Sequence, residues 1–385
     1  TFSENKNLPA YIFMSTIVAL FMGMTISAEE IIKDAKILKR EKFLELSRAS
    51  YLLSKVIILF CFSAVQTLCY VLVGNWILDI EGMLLSYWGV MFDCACFANL
   101  LGLNISATFN SVITVYILIP LLLIPQLVLG GIVVKFDEIN PALSSRKGYV
   151  PIIAEIITSR WAFEALMVSQ FKDNHFERDF YPYDKIMAEA DYKRIYYIPT
   201  LLSNLEGANR LKDDYNKIEL YKKELTLLSN EITKQLQLTP NIPFENLDRL
   251  VSGRFNAKIY QETLAYLEGL KSHYNTLYKK ASKAKDRIIE ERVGTKEGKM
   301  AHQQAKKRFH NESITTVVTN VQSEARIIEY NGNLIQKIYP IYQNPPKGNY
   351  EIAFNAHFYA PHKYFMGELI STLYFNLIII WGMTL

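Results

Sequence analysis

The stretch DAKILKREKFLELSRASYLLSK, Asp34 to Lys55, places eight charges ahead of Tyr51 between two apolar runs. Pro9 to Ala28 precedes it and Tyr51 to Leu78 follows it, and three further blocks share their character: Met83 to Leu103, Ser111 to Val134 and Tyr364 to Leu385. Each block is nearly free of charge and about 20 residues or longer, enough at about 1.5 Å per helical residue to cross a hydrocarbon layer of roughly 30 Å. One such block would also suit the buried helix of a soluble protein. Five together predict a polytopic helical membrane protein whose charge is concentrated between Lys135 and His362.

The balance of charge excludes some functions. A formal net charge of +4 with acids and bases interleaved gives no dense basic tract, so no nucleic-acid partner is expected. Cys61, Cys69, Cys94 and Cys96 all fall in apolar blocks, and the polar region therefore has no disulfides. Cys94 and Cys96 without a nearby His read as small core or lipid-phase residues, and no metal site is expected. No H-E-x-x-H or H-x-x-x-H spacing and no other catalytic constellation occurs, so no catalytic residue is assigned.

Flanking charge sets the topology. Lys33, Lys36, Lys39, Arg40, Lys42 and Arg48 separate the first two blocks, whereas the turn Asp79 to Gly82 has no Lys or Arg. The positive-inside rule then puts the Asp34 stretch in the cytoplasm and that turn outside. Counting onward, Asn104 to Asn110 is cytoplasmic and Lys135 to Lys363 external. Ile31, Ile32, Ala35, Leu38, Phe43, Leu46 and Ala49 recur at roughly helical spacing with Lys and Glu on other faces, so residues 29–50 are predicted as an amphipathic helix along the membrane or against another protein.

Three stretches carry a family resemblance. FMGMTISAEEIIKDAKILKREKFLELSRASYLLSK, Phe21 to Lys55, resembles the second span and connecting helix of the G-type (White) subfamily of ABC exporters, within the ABC-2 type permeases. LLLIPQLVLGGIVVKFDEIN, Leu121 to Asn140, resembles the end of that family's fifth span, and SRWAFEALMVSQF, Ser159 to Phe171, the external segment after it. The resemblance covers about Leu8 to Phe171 plus the closing helix. It implies that the connecting helix contacts an ABC ATPase domain, with Glu30, Lys33, Lys39, Arg40 and Glu41 as coupling residues, and that two half-transporters pair as a homodimer or heterodimer. ATP and Mg would act on the ATPase domain, and no cofactor is expected in this chain. The implied location is a bacterial cytoplasmic (inner) membrane, with 135–360 outside.

Departures from the family are equally informative. No ATPase precedes the spans, and GTKEGKM, Gly294 to Met300, lacks the spacing and the Ser or Thr of a phosphate loop. The family has six spans where five are counted here, so the chain reads as an excised fragment with its first span upstream of Thr1 and Thr1 to Leu8 as an external turn.

Polar residues inside the blocks are candidates for a transport pathway because they are costly in lipid: Gln66, Asp93, Asn99 and Gln126. A structural hydrogen bond serves each of them equally well. Pro120 and Pro125 should bend their helix, either as a gate or for packing. Ile132 and Val133 lie where the family places an apolar plug, although Gly130 to Val133 also reads as a plain helix end.

The polar region repeats apolar residues by threes and fours at Leu211, Tyr215, Ile218, Tyr221, Leu225, Leu228, Ile232 and Leu236, and again from Tyr260 to Ile288. These predict two long helices, coiled-coil-like, with a third through Ile314, Val317, Val321, Ala325 and Ile328, together a helical hairpin or small bundle, and a strand at Asn349 to Tyr359. The expected fold is all-α: a transmembrane domain at 1–134, an external re-entrant or interfacial segment at 135–171, an extracytoplasmic helical insertion at 172–360 and a last span at 361–385. The expected function is the permease portion of an exporter of hydrophobic or amphiphilic substrates. The alternative is a membrane scaffold or sensor working through its bundle, with an envelope partner for 172–360.

Overall fold

The computed structural model describes residues 1–41, 47–109, 111–134, 136, 150–346 and 356–385, without the side chains of 35, 36, 38, 39 and 41. Helix α1, Leu8–Ser27, starts with Pro9 in its first turn, where the missing N–H costs nothing. It bears small residues toward α4, Leu84–Thr108, and the two lie backbone to backbone. A Cβ on Gly23 would stand 2.6 Å from the Ala95 carbonyl oxygen, and one on Gly102 2.0 Å from Ser27 Oγ. Close approach through small residues is how helices pack where lipid removes the hydrophobic drive.

Helix α2, Glu30–Glu41, follows α1 after a two-residue turn. Helix α3, Arg48–Leu78, starts from Ser47, whose hydroxyl accepts the Ser50 N–H, and stops at Asp79 in the left-handed conformation (φ 58°). Arg48 and Ala49 thus belong to α3, not to the predicted 29–50 helix, and 42–46 lie outside the described residues. One narrow stripe of α3 is buried, Leu59, Ser63, Thr67, Val71 and Asn75 at four-residue spacing. Helix α5, Val112–Val128, carries Pro120 and Pro125, and the chain then turns at Gly131 (φ 91°), a value that favours glycine.

After α6, Ile152–Glu155, helix α7, Thr158–Lys172, is buried along its whole length. It packs against α1, α4, α5 and the closing helix α14, Thr372–Thr384. Of the two forms expected for 135–171, the interfacial one does not hold over Thr158–Lys172, which is a core helix. Among the described residues, only Leu8–Asp34 (α1 running into the start of α2), α3 and α4 are long and apolar enough to cross a membrane; α5 and α14 are shorter apolar helices. The fifth block is corrected as well: His362–Phe365 (β3) and Glu368–Ser371 (β4) form an antiparallel hairpin ahead of α14. Met366 and Gly367 both have positive φ there, as the tight turn demands.

A second core gathers α8 (Tyr181–Tyr192), α9 (Ile198–Leu211), α10 (Ile218–Leu238) and α11 (Ala257–Val293). Helix α9 packs against both α10 and α11, and α10 meets α11 through Tyr274, whose hydroxyl donates to Gln235 Oε1 at 2.9 Å, so the described residues form the small bundle of the two arrangements expected from sequence. The predicted run from Leu211 is broken, because Asp214 accepts the Asn216 N–H and leaves Tyr215 exposed. After α12, Lys296–Phe309, the predicted third helix is likewise shorter. Helix α13, Glu312–Thr319, ends at Asn320 (φ 51°), and Ile328 falls in β1, Ile327–Tyr330, paired with β2, Asn333–Gln336. Of the predicted strand at 349–359, residues 349–355 lie outside the described residues, and Phe358 and Tyr359 form a turn.

Candidate functional site

Two arrangements of polar residues stand out in the apolar half. The first fixes α2. Lys55 of α3 places Nζ 2.7 Å from Glu30 Oε2 and 2.9 Å from Asp34 Oδ2, and Tyr51 donates its hydroxyl to the same Asp34 oxygen at 2.9 Å. From the other side Ser106 of α4 accepts the backbone N–H groups of Ile31 (3.1 Å) and Ile32 (3.2 Å), satisfying donors that a helix start leaves open. Lys33 pairs with Glu29 at 2.7 Å and Arg40 is exposed. The side chains of Lys39 and Glu41 lie outside the described residues. A segment tied to two spans and continuous with a third cannot shift without them.

The second arrangement lies around α7. Glu164 is fully buried, and its carboxylate takes Lys363 Nζ at 2.5 Å, Asn376 Nδ2 at 3.1 Å and the Tyr359 N–H at 3.1 Å. Asn376 also donates to the Trp161 carbonyl (2.8 Å) and accepts from Lys363 (3.1 Å). Arg160, one turn before Glu164, lies 3.8 Å over the Trp161 ring and 3.3 Å from Glu155 Oε2, while its Nε and Nη1 have no hydrogen-bond partner among the described residues. Desolvation works to raise the Glu164 pKa, but Lys363 and Arg160 overcome it and hold the carboxyl below its ordinary value. Burial pushes Lys363 down to about 8 against the pull of Glu164. The cluster joins α7, β3 and α14 and positions them; no reacting group is exposed in it.

The residues predicted for a pathway divide. Asn99 donates to Ser63 Oγ at 2.7 Å, binding α4 to α3. Gln126 accepts the Ser159 N–H at 2.9 Å, and its carbonyl takes the Ser159 hydroxyl at 2.6 Å, which pins the end of α5 to the start of α7. Asp93 is buried beside Trp381 of α14 with Oδ2 unpartnered among the described residues. Gln66 is half-buried on α3, and Pro120 and Pro125 are exposed on α5. Ile132 borders a cavity of about 210 Å³ together with Phe136, Phe358 and Tyr359, whereas Val133 is exposed. These residues do not converge on one space.

Residues 1–171 match the family described as ABC-2 type transporter. This segment is an ABC-2 membrane domain. No curated protein and no solved structure matches the chain. The ABC-2 match and the apolar helices support an integral membrane protein and, over residues 1–171, the permease part of an ABC transporter; the match ends at Phe171, one residue short of the end of α7. The structure adds that the ABC-2 domain is completed from the far end of the chain, because Lys363 and Asn376 close the charge cluster on Glu164. Sequence reasoning missed Arg160, Glu164, Lys363 and Asn376. The available signal was Arg160 and Glu164 four residues apart in an otherwise apolar helix, a spacing that puts them on one face.

Proposed function

We propose that the chain is the membrane-spanning half of an ATP-driven exporter, in which α2 takes up the movement of an ABC ATPase and passes it to the spans. The observation that carries this reading is the triple attachment of α2, through Lys55 to α3, through Ser106 to α4 and by chain continuity to α1. ATP and Mg would belong to the ATPase, on a separate domain or subunit that contacts α2.

Two copies of the half-transporter, or this one and a related one, would enclose a path for a hydrophobic or amphiphilic substrate. Asp93, with an unpartnered oxygen in the apolar half, is the candidate for its lining, and Ile132 and Val133 for its closing contact. The helical region between α7 and α14 would stand outside a bacterial cytoplasmic membrane. The scaffold or sensor reading rests on that region having its own core.

The test uses the full chain with its ATPase in proteoliposomes, following transport of an amphiphilic dye beside ATP hydrolysis. Lys55→Ala is expected to leave ATP hydrolysis near its basal rate and to lower transport several-fold. Transport at the unsubstituted rate would sink the coupling role of α2. Failure of any ABC ATPase to co-purify with the native chain would favour the scaffold reading.

A further inference from the structure

Helix α12 is the most basic element of the molecule and has no place in the transport reading. Between Lys296 and Phe309 it holds Lys296, Lys299, Lys306, Lys307 and Arg308 against one acid, Glu297, and none of its residues is fully buried. Its start is well defined, since Thr295 Oγ1 accepts the Gly298 N–H at 3.0 Å.

The helix has an inner and an outer face. Gly298, His302, Ala305 and Phe309, spaced by threes and fours, turn inward: a Cβ on Gly298 would meet the Arg292 carbonyl oxygen at 2.2 Å, His302 lies against the Phe176 ring at 5.2 Å, and Phe309 stacks on His175 at 5.5 Å. At about 100° per residue the opposite face presents Lys296, Met300, Gln303 and Lys307, with Lys299 and Lys306 on one flank and Gln304 on the other, and all seven are exposed. Glu297 lies on the Gln304 flank, on the other side of the face from Lys299 and Lys306, and Arg308 turns aside to Glu81.

Position decides what the face meets. Arg308 pairs with Glu81 at 2.7 Å, in the turn between α3 and α4, and Phe309 lies against Gly82 of the same turn. The helix also packs on the turn Phe2–Glu4 just before α1, and Asn311 beyond its end donates to the carbonyls of Phe2 (2.7 Å) and Asn5 (3.0 Å). The C-terminal end of α12 is therefore held at the level where three candidate spans begin or end. Lys306 and Lys307 are within one turn of that level, about 5 Å along the helix and inside the ~8 Å reach of unscreened charge at physiological salt. Lysine stems can lie along the apolar boundary with their ammonium groups among headgroups, and Met300 adds an apolar contact.

We propose that the outer face of α12 binds the anionic phospholipid headgroups of the bilayer that the spans cross. Charge complementarity and a fixed position at the span ends favour the bilayer over a soluble acidic protein, because the membrane is present at this height permanently and at high local concentration.

The experiment places the full-length protein, with Cys61→Ser and Cys69→Ser to silence the exposed thiols, in proteoliposomes and attaches an environment-sensitive fluorophore through Gln303→Cys. Phosphatidylcholine with a nitroxide on its headgroup serves as quencher, with and without phosphatidylglycerol at about a third of the lipid. The proposal expects quenching that deepens several-fold with phosphatidylglycerol and is reversed by high salt. K306E together with K307E should weaken it by roughly fivefold or more per lysine, and K306Q with K307Q by less. Quenching unaffected by phosphatidylglycerol and by both pairs of substitutions would overturn the proposal. So would an unquenched label that responds only to a soluble acidic protein.

Discussion

Helices α3 and α11 are the two longest in the molecule, 31 and 37 residues, and each buries only one stripe of its surface. Their exposed faces are opposite in character. Helix α3 shows Phe62, Val65, Val73, Trp76 and Ile77 to its surroundings and hides Ser63, Thr67 and Asn75. Helix α11 shows Lys271, Lys279, Lys280, Lys283 and Arg287 and hides Ile259, Leu267 and Leu270. The lesson is that helix geometry is common to both, and the solvent decides which side chains face outward. Lipid accepts the apolar face and leaves polar contacts such as Asn99 to Ser63 to hold the interior together, whereas water drives the apolar stripe inward.

Five measurements test that contrast. The largest effect is expected from Lys363→Met, which strands the buried Glu164 carboxylate. Unpairing a buried ion pair costs about 3–5 kcal/mol, read as a fall in unfolding temperature in detergent. Adding Glu164→Gln to the same chain should restore much of the loss, and a Lys363→Met protein as stable as the parent would refute the view that charge holds this core. In the other half, Leu267→Ala opens the apolar seam of α11 at a cost of about 2–5 kcal/mol, measured by loss of helical signal in denaturant. Phe62→Arg on the outer face of α3 should cost about 2–3 kcal/mol of insertion, seen as a lower membrane-integrated fraction.

A pH titration probes the join between the two halves. His357 donates from Nε2 to the Pro340 carbonyl at 2.8 Å, and desolvation pushes its pKa down to about 4 from 6.5. The unfolded chain therefore takes up a proton between pH 6.5 and 4 that the folded chain refuses, and stability falls as pH drops through that window. His362, also held down to about 4, acts with the same sign, so His357→Gln should flatten only part of the fall in unfolding temperature. The smallest effect is expected from Lys271→Glu on the outer face of α11. It should stay within about 0.5 kcal/mol, and a larger loss would show that this face is covered.

The membrane half was legible in the sequence where a feature spans one segment. Apolar length located α1, α3 and α4, and the charged break before Tyr51 located α2, because both signals are local. The family resemblance likewise rested on contiguous stretches, and residues 1–171 match the broader ABC-2 type transporter family. The closing helix was drawn too long because Tyr364, Phe365, Leu369 and Ile370 are apolar enough to pass for a span, although Met366 and Gly367 mark a tight turn. Asn331 and Gly332, a strong hairpin signal, were passed over for a helical spacing that Asn320 terminates. The cluster on Glu164 was not legible, since Lys363 and Asn376 are far away in the chain and no spacing pattern links them to α7.

That separation sets an order of events in the cell. Glu164 and Lys363 are 199 residues apart, and at about 5–20 residues per second a ribosome needs roughly 10–40 s to make the second after the first. Throughout that interval the carboxylate has only its neighbour Arg160 for company, at 3.7 Å in the finished structure, and α7 lacks the helix that covers it. The α8–α11 bundle, with a core of its own, can fold while α7 waits. The membrane half is sealed only once β3 and α14 have been made, so its packing is completed after the α8–α11 bundle has been synthesised.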